Sequence, residues 1–389
     1  MTRLLILSSI LFISCKTDTS KSVENNNSVK IFIDNTQNDS PINLSEIISN
    51  LEYQILSTPT SNLIGNVRKI IFNDKYYALL DLARNSIWIF DKNLNYVKEI
   101  KITEGRGPNE LTYLSDITFG KNNDIYALGL FKILGFNIEQ GFINEIRIKP
   151  QLYKLTYDSV NSTFIGYMNN SGSPSNTESK TSYNILVLNQ DGKVIDKLLP
   201  IDERILNLKL MHFNNFPSFS NEQLFFSYLD LNVYSISNGI AQTKYSINFK
   251  SKGLDDEVLS KNNESIDNRT FLRKELIAND IARSLATFIE SKSFVYGEYF
   301  VGRRSEYFFY NKLDSESISG SSLYNDIDHG IKPLFFSAKN DTFIGVIEPQ
   351  DLIKHIENTK RDGSEKFNEL VELSTKLNSY SNPIFVKGY

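Results

Sequence analysis

The sequence predicts an all-β chain folded as a six-bladed β-propeller with four-stranded blades. Aromatic residues are abundant, with 26 Phe and 20 Tyr, and most of them fall in short alternating runs that are typical of strands. A strand–turn–strand unit also recurs at intervals near 48 residues, within the usual length of a propeller blade, about 40 to 50 residues. At 389 residues the chain could hold one large domain or two ordinary ones, and the repeat favours one large ring.

The first 15 residues have the layout of a secretory signal. Arg3 supplies a positive charge, residues 4–13 are apolar, and a small residue precedes Cys15. Since the apolar stretch is too short to span a bilayer, residues 1–14 are predicted to be a signal peptide. The Ser14–Cys15 ending resembles a bacterial lipobox, in which the cysteine becomes the lipidated N-terminus. The alternative is a plain cleaved signal with an incidental cysteine, the only one in the chain.

Residues 15–28 are polar and have no apolar periodicity, so we expect a lipidated Cys15 followed by a flexible tether. Such a tether would hold the propeller, residues 29–389, off a membrane surface. The predicted location is the cell envelope, lipid-anchored at the outer membrane, with the membrane face left open. The membrane is then one partner of the protein.

The third strand of each unit and the turn after it mark the repeat most clearly. Good copies are SIWIFDKNLNYVKEI at 86–100, KILGFNIEQGFINEI at 132–146 and NILVLNQDGKVIDKL at 184–198, with weaker copies at 232–247 and 306–320. The last apolar residues before the turns are Phe90, Phe136, Leu188, Ile236 and Tyr310, which gives intervals of 46, 52, 48 and 74 residues. Trp88 lies in the first of these strands, and we expect it to pack between blades.

The long last interval predicts a helical insertion at about 253–285, where apolar residues from Phe271 onward have helical spacing. A sixth marker, Phe385, stands too near the C-terminus for a fourth strand to follow it. The strand LEYQILST at 51–58 is the predicted donor, because joining the first and last segments in one blade closes the ring without an open sheet edge. Helices at about 350–358 and 364–378 are expected to cap this closing blade.

The stretch EGRGPNEL at 104–111 is the first candidate for a binding loop. A phosphate cradle needs a glycine-rich loop that leads into a helix, but this loop contains Pro108 and precedes a strand pattern. We therefore interpret it as the return from one blade to the next. Its glycines are expected to supply unusual φ values, and Arg106 with Glu110 to pin neighbouring loops. Arg106 is a candidate ligand residue if it points into the channel.

The region GRGPNELTYLSDITFGKNNDIYAL at 105–128 resembles the repeat of NHL-type propellers, in which a G-x-G-P-x-E/Q turn runs into an inner strand. From the signal through LEYQILST to the terminal NPIFV, the chain is similar to the six-bladed β-propeller lipoproteins of Bacteroidota, relatives of TolB-like and NHL-like propellers. The resemblance implies a propeller fold and an envelope location. It implies no defined catalysis and no catalytic residues.

The stretch VGRRSEYFFY at 301–310 places Arg303 and Arg304 at a turn beside an aromatic strand. Paired arginines near aromatic rings suit carboxylate, phosphate or sugar recognition, and the alternative is a solvated surface turn. The three histidines, His212, His329 and His355, are far apart, and DKNLN at 91–95 lacks the later ligands of a calcium loop. We therefore predict no metal, no cofactor and no catalytic residue.

The predicted function is a ligand-binding or protein-interaction module. A net charge of −4 with both signs interspersed gives no basic field for nucleic acid, so the ligand is expected to be a protein, a small molecule or a glycan. Loops from every blade converge at the mouth of a propeller's channel, where the ligand is expected. Two alternatives stay open: a carboxylate-based lyase or glycan hydrolase in that mouth, and an accessory protein of an outer-membrane nutrient importer.

Overall fold

Runs rich in β-branched and aromatic side chains form the strands, and short turns rich in Asn, Asp and Gly connect them. The computed structural model describes residues 22–23, 28–36, 40–59, 63–172, 181–209, 214–219, 222–262, 266–359, 364–378 and 380–389. Four strands come from the N-terminal segment: β1 (Ser22–Val23), β2 (Val29–Ile33), β3 (Ile42–Asn43) and β4 (Leu51–Ile55).

Six four-stranded antiparallel sheets follow one another as blades, which confirms the predicted fold. The first three blades are β5 (Val67–Phe72), β6 (Tyr76–Asp81), β7 (Ser86–Asp91) and β8 (Tyr96–Lys101); β9 (Asp116–Phe119), β10 (Asp124–Leu128), β11 (Lys132–Asn137) and β12 (Gly141–Arg147); and β13 (Lys154–Asp158), β14 (Thr163–Tyr167), β15 (Tyr183–Leu188) and β16 (Val194–Pro200). Short 3-10 helices occur at Leu44–Glu46, Lys121–Asn123 and Glu203–Ile205.

The last three blades carry the helices and the additional strands. The fourth and fifth blades are β17 (Ser218–Phe219), β18 (Glu222–Phe225), β19 (Asn232–Ser237) and β20 (Ile240–Phe249), and then β21 (Ala282–Glu290), β22 (Phe294–Val301), β23 (Arg304–Asn311) and β24 (Ser317–Gly320). Between them lie α1 (Asp256–Ser260), α2 (Asn268–Thr270) and a π-helix (Phe271–Ile277). After β25 (Leu323–Tyr324), the sixth blade has β26 (Leu334–Lys339), β27 (Thr342–Ile347), α3 (Pro349–Asn358), α4 (Glu365–Thr375) and β28 (Ile384–Gly388).

The closing strand lies where the sequence predicts it. β4 pairs in antiparallel fashion with β28, so that Leu51 stands opposite Gly388 and Ile55 opposite Ile384. The sixth blade therefore combines one strand from near the N-terminus with three from the C-terminal region. This pairing closes the ring and leaves β28 with a partner on both sides.

The hydrophobic core is divided into layers between neighbouring blades. Within the described residues, each of the six pairs of adjacent blades shares one apolar cluster. In β7 the side chains alternate between two of these layers: Ile87 and Ile89 pack toward the second blade, and Trp88 and Phe90 toward the sixth. Trp88 is fully buried, which confirms that it belongs to the core.

The connections lie on two faces of the ring. Because the strands of a blade alternate in direction, the first-to-second and third-to-fourth turns share one face, which we call the hairpin face. It includes the turns at 73–75, 120–123, 138–140, 189–193 and 238–239. The opposite face, which we call the helix face, carries the second-to-third connections and the crossings between blades. It includes the segments 102–115, 250–281, 302–303 and 348–383.

Several hairpin-face turns contain a glycine in the left-handed region. Gly141, Gly192 and Gly239 have φ values of 91°, 77° and 70°, and each stands at the end of a third-to-fourth turn. A side chain is unfavourable at such φ values, so glycine is the preferred residue there. The interpretation of these stretches as hairpin turns is therefore confirmed.

The helical insertion is confirmed, but its end differs from the prediction. We expected helical structure to residue 285, whereas the π-helix ends at Ile277 and β21 begins at Ala282. The pairing of β21 with β22 is interrupted by irregularities between Ala282 and Ser284 and between Leu285 and Thr287. These bulges break the period of two in the strand, so its apolar residues imitate helical spacing.

The N-terminal segment contacts more of the ring than the sequence predicts. β1 and β2 pair in parallel with β20, so the fourth blade gains an outer layer, and β3 pairs with β25. The prediction of a tether through residue 28 is corrected for Ser22–Val23, which lie in β1. The unpaired outer edge of β20 can accept the main chain of almost any sequence, so side chains give no signal for this pairing.

Candidate functional site

A basic pocket lies on the helix face, between the insertion and the β22–β23 turn. It has a volume of about 670 Å³ and is lined by Thr270, Arg273, Lys274, Ile277, Ala278, Asp280, Arg303 and Arg304. We call these residues the basic pocket. The structure thus brings the two predicted arginines together with two further cations. The four cations and one carboxylate leave a net charge of +3.

Tight backbone contacts hold the arginine turn against the insertion. Gly302 has a φ of 55°, and a Cβ there would lie 2.1 Å from Asp280 Oδ1. Arg283 Nη1 donates to the Gly302 carbonyl over 2.9 Å, and the Arg283 guanidinium lies over the Phe300 ring. Glycine is favoured at this position, and its conformation brings Arg303 to the edge of the π-helix.

Arg304 is the best-positioned cation of the basic pocket. Its Nε donates to Glu306 Oε1 over 2.9 Å, and its Nη1 lies 3.6 Å from Asp280 Oδ1. The buried Glu306 also accepts a hydrogen bond from Tyr299, which fixes the carboxylate. Arg273, Lys274 and Arg303 are exposed and form no ion pair with the described residues, so their charges face solvent.

The EGRGPNEL loop crosses from β8 to β9, as predicted, but its residues act differently. Neither Gly105 nor Gly107 has a positive φ; a Cβ at these positions would lie 2.0 Å and 2.9 Å from Glu110 Oε2. Lys132 Nζ donates a hydrogen bond to the Gly107 carbonyl over 2.6 Å, and this contact helps to hold the loop in place. Arg106 is exposed, lines neither the basic pocket nor the channel cavity, and forms no hydrogen bond or ion pair with the described residues, whereas Glu110 ties the loop by accepting the Gly107 N–H; the role of Arg106 as a ligand residue stays a prediction.

The central channel opens on the hairpin face as a cavity of about 540 Å³. The inner strands of the ring supply most of its wall. Its polar lining consists of Lys69, Asn73, Asp74, Thr118, Thr156, Ser159, Gln223, Lys292, Lys339 and Asn340. Polar groups from all six blades therefore converge in the mouth, as expected for a ligand-binding propeller.

Asp74 in the channel lining and the buried Asp116 do not form the carboxylate pair that a glycan hydrolase needs. Asp74 lies on the rim with its side chain exposed, whereas Asp116 is buried at the start of the inner strand β9. The four residues of β9 separate these two levels by about 13 Å. Glycosidase carboxylates stand about 5 to 9.5 Å apart, so these two do not form such a pair.

The histidines are closer in space than in sequence. His355 Nε2 lies 2.9 Å from the His329 carbonyl oxygen, and His329 Nδ1 lies 3.0 Å from the Tyr324 hydroxyl. Among the described residues, no group of three or more His, Cys, Asp or Glu side chains is arranged to hold a metal ion. His212 and the predicted lipidation site Cys15 lie outside the described residues. In the described part of the chain, no helix combines the length and apolar character needed to cross a bilayer.

Arg273 and Lys274 line the basic pocket, and the sequence analysis did not single them out. They follow one another in the insertion, in RTFLRKELI at 269–277, and their only signal is a pair of cations in an amphipathic helix. Their proximity to Arg303 depends on how the insertion folds back over the fifth blade. Pattern alone does not reveal that contact.

The family described as "Domain of unknown function (DUF4934)" matches residues 27–388. An exported protein of Bacteroides fragilis NCTC 9343 has a crystal structure similar to this chain, with a TM-score of 0.71 and 19% identity over 92% of this chain and 98% of that chain. At this identity the likeness shows the fold alone, and it confirms the predicted resemblance to Bacteroidota propellers at that level. No curated protein matches the chain.

Two more distant structures carry no argument about function. A DUF4221 family member from Bacteroides vulgatus has a TM-score of 0.48 and 11% identity over 88% of this chain and 98% of that chain. Virginiamycin B lyase from Staphylococcus aureus has a TM-score of 0.40 and 12% identity over 76% of this chain and 81% of that chain.

Proposed function

Because the chain belongs to the DUF4934 family, whose description assigns no activity, we propose from its own geometry that it is a lipid-anchored envelope propeller that binds an acidic segment of a partner protein in the basic pocket. The carrying observation is the convergence of four cations from two separate segments on the helix face. In this proposal the anchor holds the ring at the membrane, and the basic pocket faces away from the membrane, where a partner protein can reach it.

The path of the N-terminal segment supports this orientation. β1 and β2 run parallel to β20, which starts after the hairpin-face turn at 238–239, so the chain enters the fold on the hairpin face. Cys15 precedes Ser22 by seven residues, and such a segment reaches at most about 25 Å. A lipidated Cys15 would therefore keep the hairpin face of the fourth blade near the outer membrane. The helix face would point away from it.

The chemistry of the basic pocket supports an extended acidic partner. Its cations are exposed and spread over a concavity of about 670 Å³, which exceeds the needs of a single phosphate or carboxylate. Guanidinium groups bind carboxylates through two parallel hydrogen bonds, and Arg304 is held in place for this by Glu306. An acidic peptide presents several carboxylates at the spacing of successive side chains, and can reach all four cations.

Binding of fluorescent poly-L-glutamate, measured by anisotropy at low and high salt, tests the proposal. The double variant Arg303→Gln/Arg304→Gln should bind about tenfold more weakly than the wild type, since each exposed pair contributes roughly 0.2 to 1 kcal/mol. High salt should weaken wild-type binding in the same direction. The matched control is Arg84→Gln/Arg106→Gln, which removes two exposed cations from other turns of the helix face. It should bind within about twofold of the wild type.

Two outcomes would count against the proposal. Equal losses in the two double variants would mean that net charge, and not the pocket, attracts the polymer. Tight binding of polygalacturonate without binding of poly-L-glutamate would assign the pocket to an acidic glycan instead of a protein segment.

A further inference from the structure

Three buried ionisable side chains lie close together on the inner strands of the first three blades, and one of them, Lys69, lines the central channel. Lys69 comes from β5 of the first blade, Asp116 from β9 of the second and Lys154 from β13 of the third. Their exposed fractions are 2%, 0% and 6%, although charged side chains are seldom fully buried without partners. We call these three residues the channel triad.

The first two members of the triad neutralise each other. Lys69 Nζ donates to Asp116 Oδ1 over 2.9 Å and to the Ile117 carbonyl over 3.0 Å. The second oxygen, Asp116 Oδ2, accepts the N–H of Leu155 over 2.8 Å. Both oxygens of the carboxylate are therefore engaged, and its charge is already matched by one ammonium group.

Lys154 is only 6% exposed, and its ammonium group donates no hydrogen bond to any described residue. Strand side chains alternate between faces, so Lys154 lies on the same face of β13 as Thr156, which lines the channel. Burial lowers the pKa of Lys154, with Asp116 raising it and Lys69 lowering it further. When all three members are charged, the triad has an excess of one positive charge without a counterion.

The channel wall next to the triad supplies further donors. The Thr156 hydroxyl donates a hydrogen bond to the side-chain oxygen of Gln223, with 2.6 Å between Oγ1 and Oε1, so the amide oxygen of Gln223 is already engaged. Its NH₂ group has no partner among the described residues and remains available for a ligand. Lys292 and Lys339 stand at the open mouth, where Asp74 Oδ1 lies 3.8 Å from Lys339 Nζ, so an entering anion would meet the charge of Lys292 there and the excess charge of the triad at the inner end.

We infer that the central channel is a second binding site, which takes a small anion with a carboxylate or phosphate group through Lys154 and Gln223. The cavity of about 540 Å³ lies in the range of small-ligand sites and opens on the hairpin face, opposite the basic pocket. This inference is independent of the proposed function, because it needs neither the lipid anchor nor the acidic partner. Its ligand enters the channel from the face on which β1 begins.

Isothermal titration of the purified chain with citrate and with inorganic phosphate tests the inference. Wild-type protein should give saturable binding of at least one of the two anions, and Lys154→Met should weaken it roughly tenfold to a hundredfold. Gln223→Leu keeps the triad intact and should weaken the same anion about tenfold. Lys92→Met makes the same substitution at an exposed hairpin-face turn outside the channel, and it should bind as the wild type does.

Folding is controlled separately from binding. Since Lys154→Met removes an unpaired buried charge, its urea midpoint should equal or exceed that of the wild type, so lost binding would not reflect unfolding. No saturable binding of either anion by the wild type would overturn the inference. Unchanged affinity in both Lys154→Met and Gln223→Leu would also overturn it, because the anion would then bind elsewhere.

Discussion

At the scale of single residues, Asp116 connects three blades through one buried carboxylate. It accepts one hydrogen bond from the ammonium group of Lys69 in the first blade and another from the backbone N–H of Leu155 in the third. The ring can therefore tolerate a charged pair at its centre, where a carboxylate alone would be costly. The remaining charge of the triad, on Lys154, is the one that the protein leaves unmatched.

The unmatched charge should make stability depend on pH. Burial lowers the folded-state pKa of Lys154 below its value in the unfolded chain, while Asp116 and Lys69 act in opposite directions on it. Between the two pKa values the unfolded chain binds more protons, so the free energy of unfolding should rise with pH in that window. Urea unfolding from about pH 7 to pH 10, in buffers without phosphate or citrate, should show this rise in the wild type.

Lys154→Met should lack that part of the pH dependence. Lys69 and Asp116 face Lys154 from the neighbouring inner strands and stay in place in the variant, so they serve as an internal control. Parallel pH profiles for the two proteins would contradict the assignment of the shifted pKa to Lys154.

The glycines of EGRGPNEL are required for space and not for the backbone freedom that glycine usually provides. The sequence suggested unusual φ values, but the structure shows the Glu110 carboxylate over the Cα atoms of Gly105 and Gly107. Its Oε2 accepts the Gly107 N–H over 2.8 Å. The absence of a side chain makes room for a loop-closing carboxylate, and backbone freedom is not the reason.

At the scale of elements, the third strands gave the strongest sequence signal because both of their faces are buried. In SIWIF at 86–90, alternate residues enter the layers on either side of the first blade, so the run is apolar throughout. The third strand β15 of the third blade is likewise buried throughout, whereas β19 of the fourth blade is only partly buried and gave a weaker copy of the pattern. The outer strand β12 is more exposed, and its pattern is correspondingly weaker.

The second strand, β2, is an element that the sequence did not assign. It lies along the edge of the fourth blade and places Ile31 and Ile33 in the core between the fourth and fifth blades. Ser317 and Ser319 of β24 donate to carbonyls of the same segment, at Phe32 and Asp34. The N-terminal segment thus joins the outer edges of two blades and stabilises the ring from outside.

Ile31→Ala should lower the free energy of unfolding by about 2 to 5 kcal/mol, because Ile31 is fully buried in that core. Urea unfolding followed by near-UV circular dichroism measures the loss. Phe32 is the matched control, since it is the next residue of β2 and 67% exposed on the opposite side. Phe32→Ala should change the free energy of unfolding by no more than about 0.5 kcal/mol. Similar effects of the two substitutions would mean that β2 does not pack on the ring.

At the scale of the whole molecule, the ring separates two surfaces. The hairpin face has short turns, the channel mouth and the entry of the N-terminal segment. The helix face carries the insertion, α3, α4 and the basic pocket. This division follows from strand direction, because long connections can grow only where no tight hairpin is needed to keep strands in register.

If Cys15 is lipidated as proposed, Cys15→Ala should move the protein from the membrane fraction to the soluble fraction, since the variant lacks the thiol that would receive the lipid. Fractionation of cells, followed by immunoblotting and by labelling with a fatty-acid probe, measures both consequences. Lys16→Ala keeps the cysteine and should stay with the membranes. Retention of Cys15→Ala in the membrane fraction would mean that another contact holds the protein there.

Local pattern was sufficient for elements whose partners lie within one blade. The markers Phe90, Phe136 and Leu188 all fall in third strands, and the donor strand at 51–58 contains β4. Pattern failed at β21, whose bulges hide its period, and at β2, which adds to the outer edge of a blade that already has its four strands. Main-chain hydrogen bonds to the edge of a sheet elsewhere in the fold do not require particular side chains, so the sequence does not reveal them.

The sequence by itself determined the number of blades and the way the ring closes, and it predicts an export signal, because each depends on periodicity or on a short contiguous motif. Only the tertiary structure decided where function can reside. Lys69, Asp116 and Lys154 look like isolated charges in three apolar strands until the ring brings their inner ends together. Likewise, Arg303 meets Arg273 only because the insertion folds back over the fifth blade. Binding depends on distances between atoms, and in a propeller those distances are set by ring closure and not by order along the chain.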